Sequence, residues 1–83
     1  MENVMKLSEL AQNGIGRVTA LTATGAMRER LLDIGLVPGA EVRCVGQSPG
    51  GDPVAYLICG AVIAIRRRDA ATVLLEGRED ADG

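Results

Sequence analysis

The chain has 83 residues, a formal net charge of −2 and a hydrophobic content of 47%. This size allows one domain with one core, and the acidic balance disfavours nucleic acids and anionic membrane surfaces as partners. Tyr56 is the only aromatic residue, so an aliphatic core is expected. The longest apolar run, residues 54–65, is shorter than the about 20 residues of a membrane-spanning helix. Because the first residues also have no signal-peptide pattern, we expect a cytoplasmic protein without direct membrane insertion.

The first predicted elements are one helical turn and one strand. Leu7 and Leu10 are three residues apart, and the pair Asn13-Gly14 follows them as a turn. Residues 16–23 alternate in polarity and contain β-branched side chains, which predicts the first strand.

A short helix is predicted after this strand. Met27, Leu31 and Ile34 lie at i, i+4 and i+7 and form one apolar stripe. Thr24 is expected to cap the first turn through its hydroxyl, and Gly35 to end the helix with a positive φ. A helix of about ten residues is not stable alone, so its stripe must pack on a sheet.

Three strands are predicted next, of which the last two form a hairpin. Residues 41–48 alternate, with Val42 and Cys44 directed inward. The runs 54–59 and 62–66 flank Gly60, and both are apolar on two faces. They predict a hairpin that is either central and covered on both sides or wrapped into a small barrel.

The C-terminal part predicts a further helical turn at residues 67–71 and a closing strand at residues 72–76. About five short antiparallel strands, with one helix inserted after the first, predict an all-β fold that curls into a small barrel. We expect this domain to span residues 1–76 and the acidic segment 77–83 to be a flexible tail.

No catalytic constellation is recognisable, so we do not expect an enzyme. The sequence contains no His, and no Ser or Cys lies in a known nucleophile motif. The glycines are scattered as turn residues and form no phosphate-binding loop. The basic run Arg66, Arg67 and Arg68 has no stacking aromatic residues beside it, which favours a solvated face or a salt-bridge cluster over a nucleic-acid site.

Motifs along nearly the whole chain resemble the FeoA domain of bacterial ferrous-iron transport systems. They are LSEL at 7–10, GRV at 16–18, RERLLDIGLVPGAEV at 28–42, GGDPVAY at 50–56 and IAIRRRDAATV at 63–73. The resemblance implies an SH3-like barrel and an accessory, adaptor-like role in iron uptake. It also implies a partner, the membrane ferrous iron transporter FeoB, which carries a GTPase domain on its cytosolic side.

The alternative function is a free-standing metal-binding or metal-sensing domain. A similar module ends regulators of the diphtheria-toxin-repressor type, and domains of the FeoA family are often described as binding transition metals. Without His, the candidate ligands are Cys44, Cys59, Glu41 and Asp52. Because cysteines in strands are more simply small buried residues, we expect no firmly bound cofactor and at most weak binding of Fe²⁺ or Zn²⁺.

The outer face of the predicted helix is the candidate partner-binding surface, formed by Arg28, Arg30 and Leu32. Leu32 lies about 140° away from the apolar stripe, one turn from Arg28. It either packs beneath the N-terminal segment near Leu7 and Leu10 or forms an exposed anchor for a partner. The sequence leaves self-association open.

Overall fold

The computed structural model describes residues 4–77, which form six strands, two α-helices and one 3₁₀ turn at Leu7–Glu9. The strands are β1 (Val4–Lys6), β2 (Ile15–Leu21), β3 (Glu41–Gln47), β4 (Val54–Ile58), β5 (Ala61–Ile65) and β6 (Val73–Gly77). The helices are α1 (Gly25–Asp33) and α2 (Arg67–Ala70). Neither helix is long and apolar enough to span a bilayer.

All six strands join one antiparallel sheet in the order β1-β6-β2-β3-β4-β5. The predicted all-β class is therefore confirmed. The sequence predicted five of these strands and missed β1, because three residues are too few for polarity alternation to be recognised. Since β1 precedes the predicted first strand, α1 follows the second strand of the chain.

The core lies on one face of this sheet and is aliphatic apart from Tyr56. Pairing shifts between Val18 and Ala20 and between Cys44 and Gly46, and such bulges bend the strands that carry them. The inward direction predicted for Cys44 is confirmed, as the buried positions of β3 alternate with exposed ones. The buried hydrophobic residues are Leu7, Val18, Leu31, Leu36, Val42, Cys44, Val54, Tyr56, Ile58, Ile65, Ala70, Val73 and Leu75.

The hairpin of β4 and β5 is correct in position, but the alternative in which it is central and covered on both sides is wrong. β5 is the last strand of the sheet, and the Val62 side chain is 64% exposed. The continuous apolar run arises because Ile63 and Ile65 face the core while small or β-branched residues face outward. Apolar composition alone does not reveal that a strand lies at an edge.

Helix α1 packs on the sheet through the predicted stripe. Leu31 is its one buried residue, and Met27 and Ile34 are partly buried against the core. Thr24 precedes the helix as predicted, but its hydroxyl makes no capping hydrogen bond, so this prediction is wrong. Gly25, the first residue of the helix, has a φ of +63°, so the first turn departs from the regular geometry in which a capping hydroxyl meets the second or third helical amide.

The N-terminal turn is fixed to the core by a hydrogen bond. The Tyr56 hydroxyl donates to the Leu7 carbonyl oxygen at 3.3 Å. Asn13 has a φ of +69°, in agreement with the predicted turn at Asn13-Gly14. At the other end β6 reaches Gly77, one residue beyond the predicted domain boundary, and the rest of the predicted acidic tail lies outside the described residues.

Candidate partner-binding cleft

A cleft of about 340 Å³ lies between α1 on one side and β5 with α2 on the other. Its lining combines the apolar stripe of α1 with three consecutive residues of β5 and the start of α2. The lining residues are Met27, Arg30, Leu31, Ile34, Pro53, Ile63, Ala64, Ile65, Arg66, Arg68 and Asp69.

The cleft has an apolar floor and a predominantly basic rim. Arg30, Arg66 and Arg68 contribute three positive charges, against one carboxylate from Asp69. In residues 4–77, the arginine side chains that donate hydrogen bonds are those of Arg17 and Arg67, so the three rim guanidinium groups keep their donors for a ligand. A chain with a net charge of −2 therefore concentrates positive charge at this cleft, which favours an acidic ligand with apolar side chains.

Arg67, in the middle of the basic run, has a structural role. Its backbone N–H donates to Asp52 Oδ1 at 2.9 Å, which satisfies one free amide at the start of α2. Its Nε donates to the Gly51 carbonyl oxygen at 2.7 Å, and its Nη1 to the Ser8 carbonyl oxygen at 3.4 Å. These bonds join α2 to the loop before β4 and to the 3₁₀ turn. They thereby fix the position of α2, which forms part of the cleft wall.

The structure separates the three predicted partner-binding residues. Arg30 lines the cleft, whereas Arg28 and Leu32 lie outside its lining. Leu32 is partly buried and is not among the side chains that pack against the core. Arg66 and Arg68 also line the cleft but were not among the predicted site residues, although the basic run in which they lie was an available signal.

The four candidate metal ligands do not form a cluster. Cys44 is 1% exposed in the core, whereas Glu41 is exposed and three positions away on the same strand, which directs it to the opposite face. Cys59 is an exposed free thiol in the β4–β5 turn, and Asp52 accepts the hydrogen bond from Arg67. Within residues 4–77, no group of three or more Cys, Asp or Glu side chains could hold a metal ion.

Within residues 4–77, Tyr56 is the titratable group whose pKa the fold clearly shifts. Burial disfavours the phenolate, and together with the nearby Cys44 and Asp52 it raises the pKa of Tyr56 to about 12, despite the opposing effect of Arg67. The phenol therefore stays neutral at physiological pH and keeps its proton for the hydrogen bond to Leu7. This is the chemistry of a structural donor.

Metal affinity gives a direct prediction. The double variant Cys44→Ser, Cys59→Ser is expected to bind Zn²⁺ or Fe²⁺ as weakly as the parent, with a Kd of about 100 μM or higher, because the two thiols lie in different environments. Isothermal titration of the purified protein under anaerobic conditions measures this. Cys59→Ser alone is the control for a core disturbed by the Cys44 change. A stoichiometric submicromolar site that disappears in the double variant would contradict the prediction.

The fold and the cleft define the class of the protein as a small all-β domain of the SH3-like type. Residues 5–77 match the sequence model of the FeoA domain, and the chain belongs to this family. The predicted resemblance to FeoA is thereby confirmed.

Three known proteins illustrate the similarity. The chain is 35% identical over 72 residues to the Fe(2+) transport protein A/Fe(2+) transporter FeoB fusion protein of Porphyromonas gingivalis strain ATCC BAA-308 / W83. That alignment covers 87% of this chain but 8% of the fusion protein, so the chain corresponds to a small part of that relative.

Two solved structures share the fold. The solution structure of the FeoA protein from Chlorobium tepidum is 35% identical, with a TM-score of 0.84 over 94% of this chain and 75% of that chain. The crystal structure of Stenotrophomonas maltophilia FeoA complexed with zinc is 33% identical, with a TM-score of 0.78 over 87% of this chain and 89% of that chain. The latter is described as a prokaryotic SH3 domain protein, which supports the predicted SH3-like fold.

Proposed function

We propose that this FeoA-family protein is a non-enzymatic adaptor of ferrous iron uptake that binds the cytosolic GTPase part of a FeoB-type transporter. The observation that carries the proposal is the Porphyromonas gingivalis relative, in which the matching domain and FeoB form one chain. Fusion keeps two modules at a high effective concentration, which benefits modules that act on each other.

The chemistry of the cleft also supports this proposal. Its apolar floor offers surface to bury, and its arginine rim offers charge-assisted hydrogen bonds to carboxylates. Arginine is also a residue type that frequently dominates the binding energy of interfaces. An acidic, partly apolar segment of the transporter's cytosolic region fits this chemistry.

The mechanism we propose is preferential binding to one state of the transporter. A module without catalytic groups changes the activity of its partner when it binds one conformation more tightly than another. The resulting coupling is reciprocal, so the nucleotide state of the GTPase domain would change the affinity for this protein by the same factor. Affinities measured with GTP- and GDP-loaded transporter domains would reveal this coupling.

The test is a titration of the full chain with the purified cytosolic region of FeoB from the same organism. Arg68→Glu and Arg30→Glu are each expected to weaken binding about tenfold or more, which corresponds to about 1.4 kcal/mol, because each places a negative charge at the rim. Arg43→Glu is the matched control, since Arg43 is exposed on β3 outside the cleft lining. This control is expected to bind as the parent does.

The outer face of α1 is tested in the same titration. Arg28→Glu carries the same charge change, one helical turn before Leu32 and outside the cleft. A large effect of Arg28→Glu with no effect of Arg68→Glu would move the contact surface from the cleft to the outer face. Absence of measurable binding by the parent protein would refute the adaptor proposal itself.

A further inference from the structure

The outer edge of β5 has unpaired backbone groups at defined positions. Residues Cys59 and Gly60 form a two-residue turn with φ values of +50° and +84°, as in a type I′ hairpin. Ile58 and Ala61 therefore form the hydrogen-bonded pair next to the turn, and bonded and non-bonded pairs alternate from there. Val62 and Ala64 occupy non-bonded pairs, so their N–H and C=O groups point away from β4.

No other described segment covers these groups. β5 is the terminal strand of the sheet, and the backbone hydrogen bonds outside the regular ladders involve none of its residues. β5 also contains no charge and no proline, the features by which natural edge strands avoid further pairing. Within residues 4–77, this edge is thus ready to accept another strand.

The cleft meets this same edge along its second half, at Ile63–Ile65. Side chains of consecutive strand residues point to opposite faces, yet Ile63, Ala64 and Ile65 all line the cleft. Three consecutive residues can do so when the cleft follows the strand edge and contacts its backbone. A strand added beside β5 would therefore lie in the cleft, with α1 beyond it and the arginine rim around it.

We propose that β5 binds an extended segment of the partner as an additional strand, with alternating apolar and acidic residues. The inference rests on the adaptor function proposed above and specifies its binding mode. Backbone hydrogen bonds to Val62 and Ala64 would supply affinity, while pockets for alternate side chains would supply specificity. Apolar side chains of the segment would contact Met27 and Ile34, and its carboxylates would pair with the rim arginines.

Charge complementarity favours this occupant over a second copy of the same chain. The segment Ala61–Ile65 carries no acidic residue, so a second β5 paired along the edge would place no carboxylate beside Arg30, Arg66 and Arg68. An acidic partner strand would neutralise this rim. Salt should therefore weaken the complex.

Residue-resolved amide hydrogen exchange by NMR tests the inference on the full chain, with the cytosolic region of FeoB as the probe. In the free protein, the amides of Val62 and Ala64 should exchange fast, whereas the amide of Ile63, bonded to β4, should be protected. Bound FeoB should slow exchange at Val62 and Ala64 about tenfold or more, since hydrogen-bonded strand amides open less often. Ile63 serves as the internal control because it is protected in both states.

A proline substitution provides an independent measurement. Ala64→Pro removes an N–H that points outward and leaves the β4 ladder intact, so binding should weaken at least about tenfold while the hairpin still forms. Ala64→Thr enlarges the side chain at the same position but keeps the N–H, so it should lose clearly less affinity than Ala64→Pro, and the difference between the two variants isolates the contribution of the N–H. If Ala64→Pro fails to fold, the exchange experiment on the parent protein still tests strand addition.

The outcomes separate this inference from the function on which it rests. Binding of FeoB without protection of Val62 and Ala64 would overturn strand addition and leave the adaptor function standing. Protection of both amides in the free monomer would show that the edge is already covered by this chain, and protection that grows with protein concentration would show a second copy. Either result would overturn the inference. Failure of the parent protein to bind FeoB at all would refute the adaptor function, and strand addition with it.

Discussion

Leu31→Ala is expected to lower the free energy of unfolding by about 2–5 kcal/mol. Leu31 is 2% exposed and is the one buried residue of α1, so truncation removes both buried area and the main contact of the helix with the core. Helix α1 has nine residues and cannot persist without that contact. Such a loss is a large fraction of the stability of a domain of this size.

Urea unfolding of Leu31→Ala and of Leu32→Ala measures this effect with a matched control. Leu32 is the neighbouring leucine on the same helix, is partly buried and lies outside the core. Leu32→Ala should therefore cost about 1 kcal/mol or less. Equal losses in the two variants would show that Leu32 is sandwiched beneath another segment, and an unchanged midpoint for Leu31→Ala would show that α1 does not anchor through its stripe.

Gly35→Ala should destabilise the fold by about 2–4 kcal/mol, for two separate reasons. Gly35 has a φ of +110°, which side-chain-bearing residues rarely adopt. A Cβ at this position would also stand 2.8 Å from Cys59 Sγ and 3.0 Å from Ile58 Cγ2. The end of α1 therefore approaches the β4–β5 turn more closely than an alanine allows.

Alanine substitutions at two other glycines separate the backbone cost from the cost of overlap. Gly39 has a φ of +95°, and a Cβ added there would have no atom of a non-neighbouring residue within 4 Å. Gly39→Ala should therefore show the backbone cost of about 1–3 kcal/mol without overlap. Gly46 has neither feature, and Gly46→Ala should stay within about 0.5 kcal/mol of the parent. In the Gly35→Ala background, Cys59→Ala should restore part of the lost stability because it removes the overlapping sulfur. Absence of this coupling would contradict the close packing.

The parts of the fold that follow from local sequence patterns were predictable. The stripe of α1 depends on a spacing of 3.6 residues, and the end of α1 at Gly35 depends on the positive φ available to glycine. The alternation of β3 likewise fixes which of its residues face the core. Each of these features is encoded within a few neighbouring residues.

The cleft was not predictable in this way, because it depends on long-range pairing. Arg30 and Arg66 are far apart in the chain, and their meeting requires the order of strands in the sheet. The same limit applies to the cysteines. Cys44 pairs with Tyr56 in the register of β3 and β4, and Cys59 follows in the turn beyond the end of β4. This register separates two thiols that were both candidate metal ligands in the sequence.

The position of Tyr56 has a practical consequence for optical spectroscopy. The chain has no Trp and no Phe, so all aromatic absorption and fluorescence come from one phenol in the core, hydrogen-bonded to the N-terminal turn. Its near-ultraviolet circular dichroism and emission thus report on core packing without an introduced label. Tryptophan emission recorded from a mixture would belong entirely to the partner, so the partner can be followed without a contribution from this chain.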